Sequence, residues 1–269
     1  MARMKNFMQM TGSMAMVSMY SMQGHDEVII RTKGGPNKYQ IKTKPQFEKV
    51  RRNNSEWSAC TKMGSQIRMS FMNMNRMEDF PVSGALNAIC KQIQKLDSEG
   101  EHGKRGIYLT RHKEMLLGFS FSRKQVLESV LRVPIETTLD RETGEAQIVI
   151  PAVNTDLYLY NFRKLPYYRI VANFSGVCDM AIPENENTYQ HEQYNYCDRE
   201  LGVFESEWLP TTGTQEAIHV KLQYPLDPNP IPENVTLVLC VGIEFGKKGY
   251  GDITEPVKYA GTGKIVKVG

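Results

Sequence analysis

The residues of this chain that could do chemistry are five histidines, five cysteines and a run of carboxylates, and their spacing decides what they can do together. His25, His102, His112, His191 and His219 form no His-Glu-x-x-His pair and no regular partnership with cysteine. His191 and Cys197 share a segment with Glu192, Asp198 and Glu200 that could present metal ligands. Tetrahedral sites favour close-spaced pairs such as Cys-x-x-Cys, and none exists, so the segment reads as a polar surface loop. Gly261-Thr262-Gly263-Lys264 lacks the spacing of a phosphate-binding loop and runs into a terminal strand pattern. There is no Gly-x-Ser-x-Gly elbow and no Ser-x-x-Lys, and no cysteine has a recognisable activating context. Glu184, Glu186, Glu192, Asp198, Glu200, Glu205 and Glu207 crowd one region. Paired acids serve general acid–base catalysis, but spacing alone sets no two of these at catalytic separation. The expectation is therefore a chain with no catalytic residues, no metal and no cofactor, in which the acidic segment is a partner-facing loop.

The second chemical feature is positive charge. Lys33, Lys38, Lys42, Lys44, Lys49, Arg51 and Arg52 are interleaved with Tyr39 and Phe47, and Lys62, Arg68 and Arg76 follow. Such a surface can track a phosphate backbone without reading bases, or can simply be a solvated helix face. Residues 1–133 carry 22 Lys and Arg against 11 Asp and Glu, a net of +11, while residues 134–269 carry 11 against 19, a net of −8. Opposite fields on one molecule favour head-to-tail association of copies, or one half turned toward a polyanion. Thirteen of the fifteen methionines lie within the first 87 residues. Thioether metal binding is one reading of that bias. Met as an adaptable filler of cores and of repackable contact surfaces is the stronger one.

These residues need elements to position them. Residues 7–22 alternate apolar and polar side chains in part, with turns expected at Gly12-Ser13 and at 23–26, and residues 27–33 carry Val28, Ile29 and Ile30. Three short strands in a meander, closed by Gly34-Gly35-Pro36, are expected. Pro45 suits the first position of a helix, and Phe47, Val50, Trp57, Cys60, Ile67 and Phe71 recur at helical steps. Asn53-Asn54-Ser55 and Gly64 are candidate breaks. Leu86, Ile89, Ile93 and Leu96 predict an amphipathic helix, 125–132 a helical turn or two, and 107–109 an extended stretch. From Pro134 the texture is β, with runs at 147–150, 157–162, 167–174, 217–222, 235–245 and 264–268. Ile218, Val220 and Leu222 point one way and His219 and Lys221 the other. The fold class expected is an α+β N-terminal domain, 1–133, of β-meander plus helices, followed by an all-β antiparallel sandwich, 134–269. Long connections at 182–208 and 246–263 are the expected binding loops.

No window of eighteen apolar residues exists, so no membrane span is expected, and the N-terminal stretch lacks the cleavage pattern of a signal peptide. Cys60, Cys90, Cys178, Cys197 and Cys240 are few and irregularly spaced, which predicts reduced thiols and a cytoplasmic protein, or one held in an assembled particle.

Several motifs taken together resemble a known group. Residues 7–12 and 16–20, Lys33-Gly34-Gly35, the run from Pro45 through Arg51-Arg52-Asn53 to Trp57, Leu116-Leu117-Gly118-Phe119, Tyr168-Arg169-Ile170-Val171 and residues 237–245 are similar to a widespread group of uncharacterised Bacteroidetes proteins. The likeness implies a structural component of a virion or other mobile element. Met8, Met10, Met14, Met16 and Met19 depart from that pattern, which has Ile, Leu, Thr and charged residues there. The function expected is a non-enzymatic protein that self-assembles into a homo-oligomeric shell or filament through its basic and acidic halves. The alternative is non-specific binding of nucleic acid by the basic half.

Overall fold

The structure is a computed structural model that describes residues 2–4, 11–21, 28–32, 34–191, 202–224 and 231–269. The chain divides into two compact units, Met1–Arg51 and Arg52–Gly269.

The first unit holds a four-stranded antiparallel sheet of β1 (Ala2–Met4), β2 (Gly12–Met14), β3 (Val17–Tyr20) and β4 (Val28–Thr32) in the order β1-β4-β3-β2. The expected turn at Gly12-Ser13 is corrected. Those residues lie in β2, and the reversal falls on Ala15-Met16, with Ala15 in the left-handed region at φ 47° and Met14 paired with Val17. The second expected turn, at 23–26, lies outside the described residues. Helix α1 (Lys38–Thr43) starts at Asn37, whose side chain accepts the Gln40 N–H while the Gln40 side chain accepts that of Asn37. This reciprocal cap satisfies two amide groups that the helix start leaves unpaired.

Pro45 opens a 3₁₀ turn, Pro45–Phe47, that feeds α2 (Glu48–Ser70), and the unit boundary falls within the first turn of that helix. Neither expected break interrupts α2. Gly64 is needed for proximity rather than for a bend, since a Cβ there would stand 2.1 Å from Asn87 Oδ1 of α3 (Val82–Leu96).

The second unit continues with α4 (Leu127–Val130), β5 (Glu136–Asp140), β6 (Glu145–Ile150), β7 (Val153–Asn154), α5 (Thr155–Tyr158), β8 (Tyr167–Cys178), β9 (Met180–Ala181), β10 (Gln190–His191) and β11 (Gly202–Glu205). It ends with β12 (Leu209–Pro210), β13 (Thr214–Gln215), β14 (Ile218–Gln223), β15 (Val235–Lys248) and β16 (Thr254–Val268). A five-stranded antiparallel sheet, β11-β8-β15-β16 with β12 also on β8, faces a three-stranded one, β14-β6-β5. The architecture is the expected α+β one, with antiparallel sheets following the helices.

The two faces of the larger sheet bury different partners, because successive strand residues point to opposite sides. Ile170, Ala172 and Phe174 with Leu237, Leu239 and Val241 pack on Ile148 of β6 and Val220 of β14. Val171, Val177, Val238 and Cys240 pack on Met63, Ile67, Leu86 and Ile93 of the helices. A strand buried on both faces reads as an unbroken apolar run, which is the texture of 235–245. Residues on both sides of Pro134 thus share one core, and the boundary expected there lies inside the second unit. The change of charge sign at 134 marks no change of core, because the apolar stripes of α2 and α3 are covered by the sheet that follows.

Other expectations are corrected. Residues 157–162 are not a strand: Asn154 caps the short α5, and Leu159 only bridges to Leu131. The loop expected at 246–263 is mostly the β15–β16 hairpin, with a register shift beyond Glu244 and Tyr259 at φ 59°. Methionine fills space where the sheet is thinnest. Met74 and Met77, in the 3₁₀ turn Met72–Met77, lie on Gly242, Gly261 and Gly263, where a Cβ would come within 2.9 Å of Met74 Sδ, 2.7 Å of Met77 Cγ and 2.8 Å of Met74 Sδ respectively. Cys60, Cys90 and Cys240 are free and buried, whereas Cys178 is disulfide-bonded, which corrects the expectation of wholly reduced thiols; Cys197 lies outside the described residues. Among the described residues no helix is long and apolar enough to cross a membrane.

Candidate functional site: charged surfaces and buried charge clusters

The basic segment divides into free and committed charges. Lys38 and Lys42 lie on α1, Lys44 follows it, and Lys49 lies in the first turn of α2; all four are exposed. Arg51 turns back, donating from Nη1 to Ile41 O at 2.8 Å and Lys44 O at 2.9 Å, so it closes the end of α1. Arg68 is likewise committed, donating from Nε and Nη2 to the Glu78 carboxylate at 2.9 and 2.8 Å, which raises its pKa. Arg52 is exposed, with its Cβ close over Gly103. Lys33 lies outside the described residues. Of the eight cations expected to form a surface, Lys38, Lys42, Lys44 and Lys49 of the first unit are exposed, and Arg52 belongs to the second unit.

The acidic segment divides in the same way. Glu184, Glu186 and Glu207 are exposed, while Glu192, Asp198 and Glu200 lie outside the described residues. Glu205 is not a free loop carboxylate. On β11 it belongs to a closed ring of alternating charge: Arg76 Nη2 lies 2.7 Å from Glu205, Glu205 2.6 Å from Arg169 Nη1, Arg169 Nη2 2.7 Å from Glu244, and Glu244 3.0 Å from Arg76 Nε. Glu244 is buried on β15, and the Arg169 guanidinium also stacks 4.6 Å from the Trp208 ring. A buried carboxylate is tolerated here because two guanidinium groups pair with it.

A second cluster lies between α2, α3 and the loop after α3. Glu56, fully buried, accepts from Arg105 Nε and Nη2 at 2.7 Å each, Lys91 Nζ at 2.6 Å and the Gly103 amide at 2.8 Å. Burial alone would raise its pKa, but the hydrogen bonds from Arg105, Lys91 and Gly103 outweigh it and hold the carboxyl at about 2. Gln94, also buried, donates to Glu56 O and Arg105 O and accepts from Lys91 and from Cys60 Sγ. Tyr189 closes the cluster, its hydroxyl donating to Arg105 O at 2.9 Å. Burial pushes the Cys60 thiol up to about 11, and also raises Cys90 and Cys240. These thiols stay protonated near neutrality.

Sequence reading missed both clusters, although a signal existed. Glu56 stands one turn before Cys60 on the apolar stripe of α2, and Arg169 and Glu244 interrupt apolar runs of β8 and β15. A charge on an apolar face implies a buried partner. Each described carboxylate with a resolved shift, Asp79, Asp97, Glu128, Asp140 and Glu145 besides Glu56, is held below its ordinary value. Ion pairs and hydrogen-bonded loops produce that direction. An acid or base poised for proton transfer near pH 7 is shifted the other way. Among the described residues no group of three His, Cys, Asp or Glu is arranged to hold a metal.

The chain is thus a mixed α+β protein whose described buried charges are committed to joining its layers, with lysines displayed on its smaller unit. No family model matches it, and no curated protein or solved structure matches it.

Proposed function

We propose that this is a non-enzymatic structural protein that self-assembles, its basic N-terminal part engaging the acidic residues 134–269 of another copy. One observation carries the reading: among residues 11–21, 28–32 and 34–51 only Val28 and Ile29 are buried, α1 buries none, and Met14 and Met16 remain 65% and 68% exposed. Units of this size are marginal on their own and are commonly supported by a covalent, metal or protein partner. The first unit carries nine Lys and Arg against three Asp and Glu, a net of +6, which suits an acidic surface. The resemblance to the Bacteroidetes group of mobile-element style supports the same reading. Its place is proposed as the assembled particle rather than the cytoplasm, since a disulfide at Cys178 persists where conditions oxidise.

The test is light scattering and negative-stain imaging of the full chain across concentration, at low and high salt, with and without nuclease. Ordered multimers surviving salt and nuclease are expected; a monomer under every condition overturns the proposal. A second reading, binding of nucleic-acid backbone, has its own support in the four exposed lysines within residues 38–49. It requires affinity to fall with a log–log salt slope of about −3 to −4 for four phosphate contacts. Reversing Lys38, Lys42, Lys44 and Lys49 to Glu then abolishes retention, and unchanged retention sinks that reading.

A further inference from the structure

The stretch that follows α5 brings cations and aromatic rings together on the surface of the second unit. Its backbone is fastened beside the end of α4: the Arg132 amide donates to Tyr158 O at 2.9 Å and the Tyr160 amide to Val130 O at 2.7 Å. The Arg132 guanidinium lies 5.4 Å from the centroid of the Tyr160 ring, that ring 6.4 Å from Phe162, and the Arg163 guanidinium 6.0 Å from Phe162. Phe162 is partly buried and meets Phe245 of β15 edge-on, so the row is seated on the core. Arg163 Nη1 reaches Lys258 O of β16 at 3.3 Å, which sets Lys258 and Tyr259 at the end of the row. Apart from Phe162, all of these side chains are exposed, as is that of Lys164.

Two features set this row apart from ordinary solvated surface. Among the described residues the non-glycine positions with positive φ are Ala15, Lys164 and Tyr259, and the last two, at 52° and 59°, both lie here. Side chains of this size are strained in that region, and such strain persists where the surrounding structure imposes it, commonly at binding sites. The Asn161 side chain clamps the turn at Lys164, donating to Leu165 O at 2.6 Å and accepting its amide at 3.0 Å. Tyr259 gains no burial from its strained backbone, since its side chain stays 57% exposed. The second feature is charge. Residues 127–133, 155–166 and 256–260 carry Arg132, Arg163, Lys164 and Lys258 against Glu128 and Asp156. Both acids are engaged, Glu128 with Lys264 and Asp156 by the Gly213 amide, and none of the four cations forms an ion pair among the described residues. Three of the four lie within residues 134–269, whose net charge is −8, so the strip runs against the charge around it.

We infer that this row binds single-stranded nucleic acid without reading its sequence, bases stacking on the Tyr160 and Tyr259 rings while Arg132, Arg163, Lys164 and Lys258 meet phosphates. Alternation of ring and cation matches the alternation of base and phosphate along a single strand, and every base offers a π-face to a ring. A duplex hides those faces. A saccharide also stacks on rings, but its hydroxyls call for acceptors, and both acids of these segments are engaged elsewhere. The inference goes beyond the self-assembly reading, and its surface is distinct from the lysines of residues 38–49.

The test titrates fluorescein-labelled oligothymidylate with the nuclease-treated full-length protein and follows anisotropy over a range of salt. Binding is expected, and Tyr160→Ala and Tyr259→Ala each weaken it about fivefold or more, the scale of losing one stacked base. Arg163→Ala is expected to lower the log–log salt slope by about 0.7, one phosphate contact to a single strand. Tyr250→Ala, at a 97% exposed position at the tip of the β15–β16 hairpin, is the control and leaves affinity unchanged. All these positions are exposed, and each variant is checked for the wild-type thermal transition. Absence of binding at low salt overturns the inference, as does wild-type affinity in the Tyr160→Ala, Tyr259→Ala double variant. Loss of binding confined to the reversal of Lys38, Lys42, Lys44 and Lys49 overturns it too, and assigns the strand to the first unit. Self-assembly is read separately by light scattering, so failure here leaves that proposal standing.

Discussion

Glu56 shows how one residue ties together segments far apart in the chain. Its carboxylate meets Arg105, Lys91 and Gly103, so α2, α3 and the loop after α3 share one anchor. Because its folded pKa is about 2 against an ordinary 4.5, the anchor contributes stability above pH 4.5 that is lost as pH falls toward 2. Urea unfolding of wild type across that window is expected to show stability falling with pH, and Glu56→Gln to flatten the slope. Glu56→Ala leaves two cations without their carboxylate and is expected to cost about 3–5 kcal/mol, measured by denaturant unfolding at pH 7. The cysteines offer a residue-scale check of another kind. Thiol titration of the denatured chain without reductant is expected to find Cys60, Cys90 and Cys240, and full reduction to add the two thiols that the disulfide at Cys178 releases.

At the scale of elements, the β15–β16 hairpin is thinned by glycine to admit the thioethers of the 3₁₀ turn Met72–Met77. A Cβ at Gly261 would lie 2.6 Å from Ile243 O and 2.7 Å from Met77 Cγ. Gly261→Ala is therefore expected to destabilise by about 1–3 kcal/mol, the usual cost of overpacking, seen as a lowered Tm. Met77→Ala in the same chain relieves only the side-chain contact, so the loss is not fully recovered. Much at this scale was legible beforehand: the strands through 17–20 and 28–32, the helix after Pro45, the helix through Leu86 and Ile93, and the alternation of Ile218, Val220 and Leu222 all follow from local periodicity. The β16 strand through 254–263 was not legible. Its Gly and Pro content reads as loop, and only pairing with β15 holds it extended.

For the whole molecule, the decisive fact is that residues 52–133 and 134–269 build one core. Residues 134–269 expressed alone would expose Val171, Val177, Val238 and Cys240, all fully buried in the complete chain. That fragment is expected to bind a hydrophobic dye and to lack a cooperative thermal transition, whereas the full chain is expected to show both near-UV dichroism and cooperative unfolding. A cooperatively folding, dye-negative fragment would show that the helices are dispensable. The charge ring of Arg76, Glu244, Arg169 and Glu205 fastens the same layers, joining the turn after α2 to β8, β11 and β15.

By itself the sequence determined what local chemistry controls: the strands and helices with clear periodicity, how charge is distributed along the chain, and that the familiar catalytic and metal-binding spacings are missing. Tertiary structure decided which charges are available and which are committed. Arg51, Arg68 and Glu205 have the same composition signature as Lys38, Lys42 and Glu184, yet the first three are held by partners 7 to 129 residues away. The Arg76–Glu205 pair, 129 residues apart, lies in no local window, and the nearer pairs depend on how the chain turns back between their members. Tertiary structure alone also set the unit boundary at Arg51, because a core is defined by which apolar faces meet, and charge patterning carries no information about that.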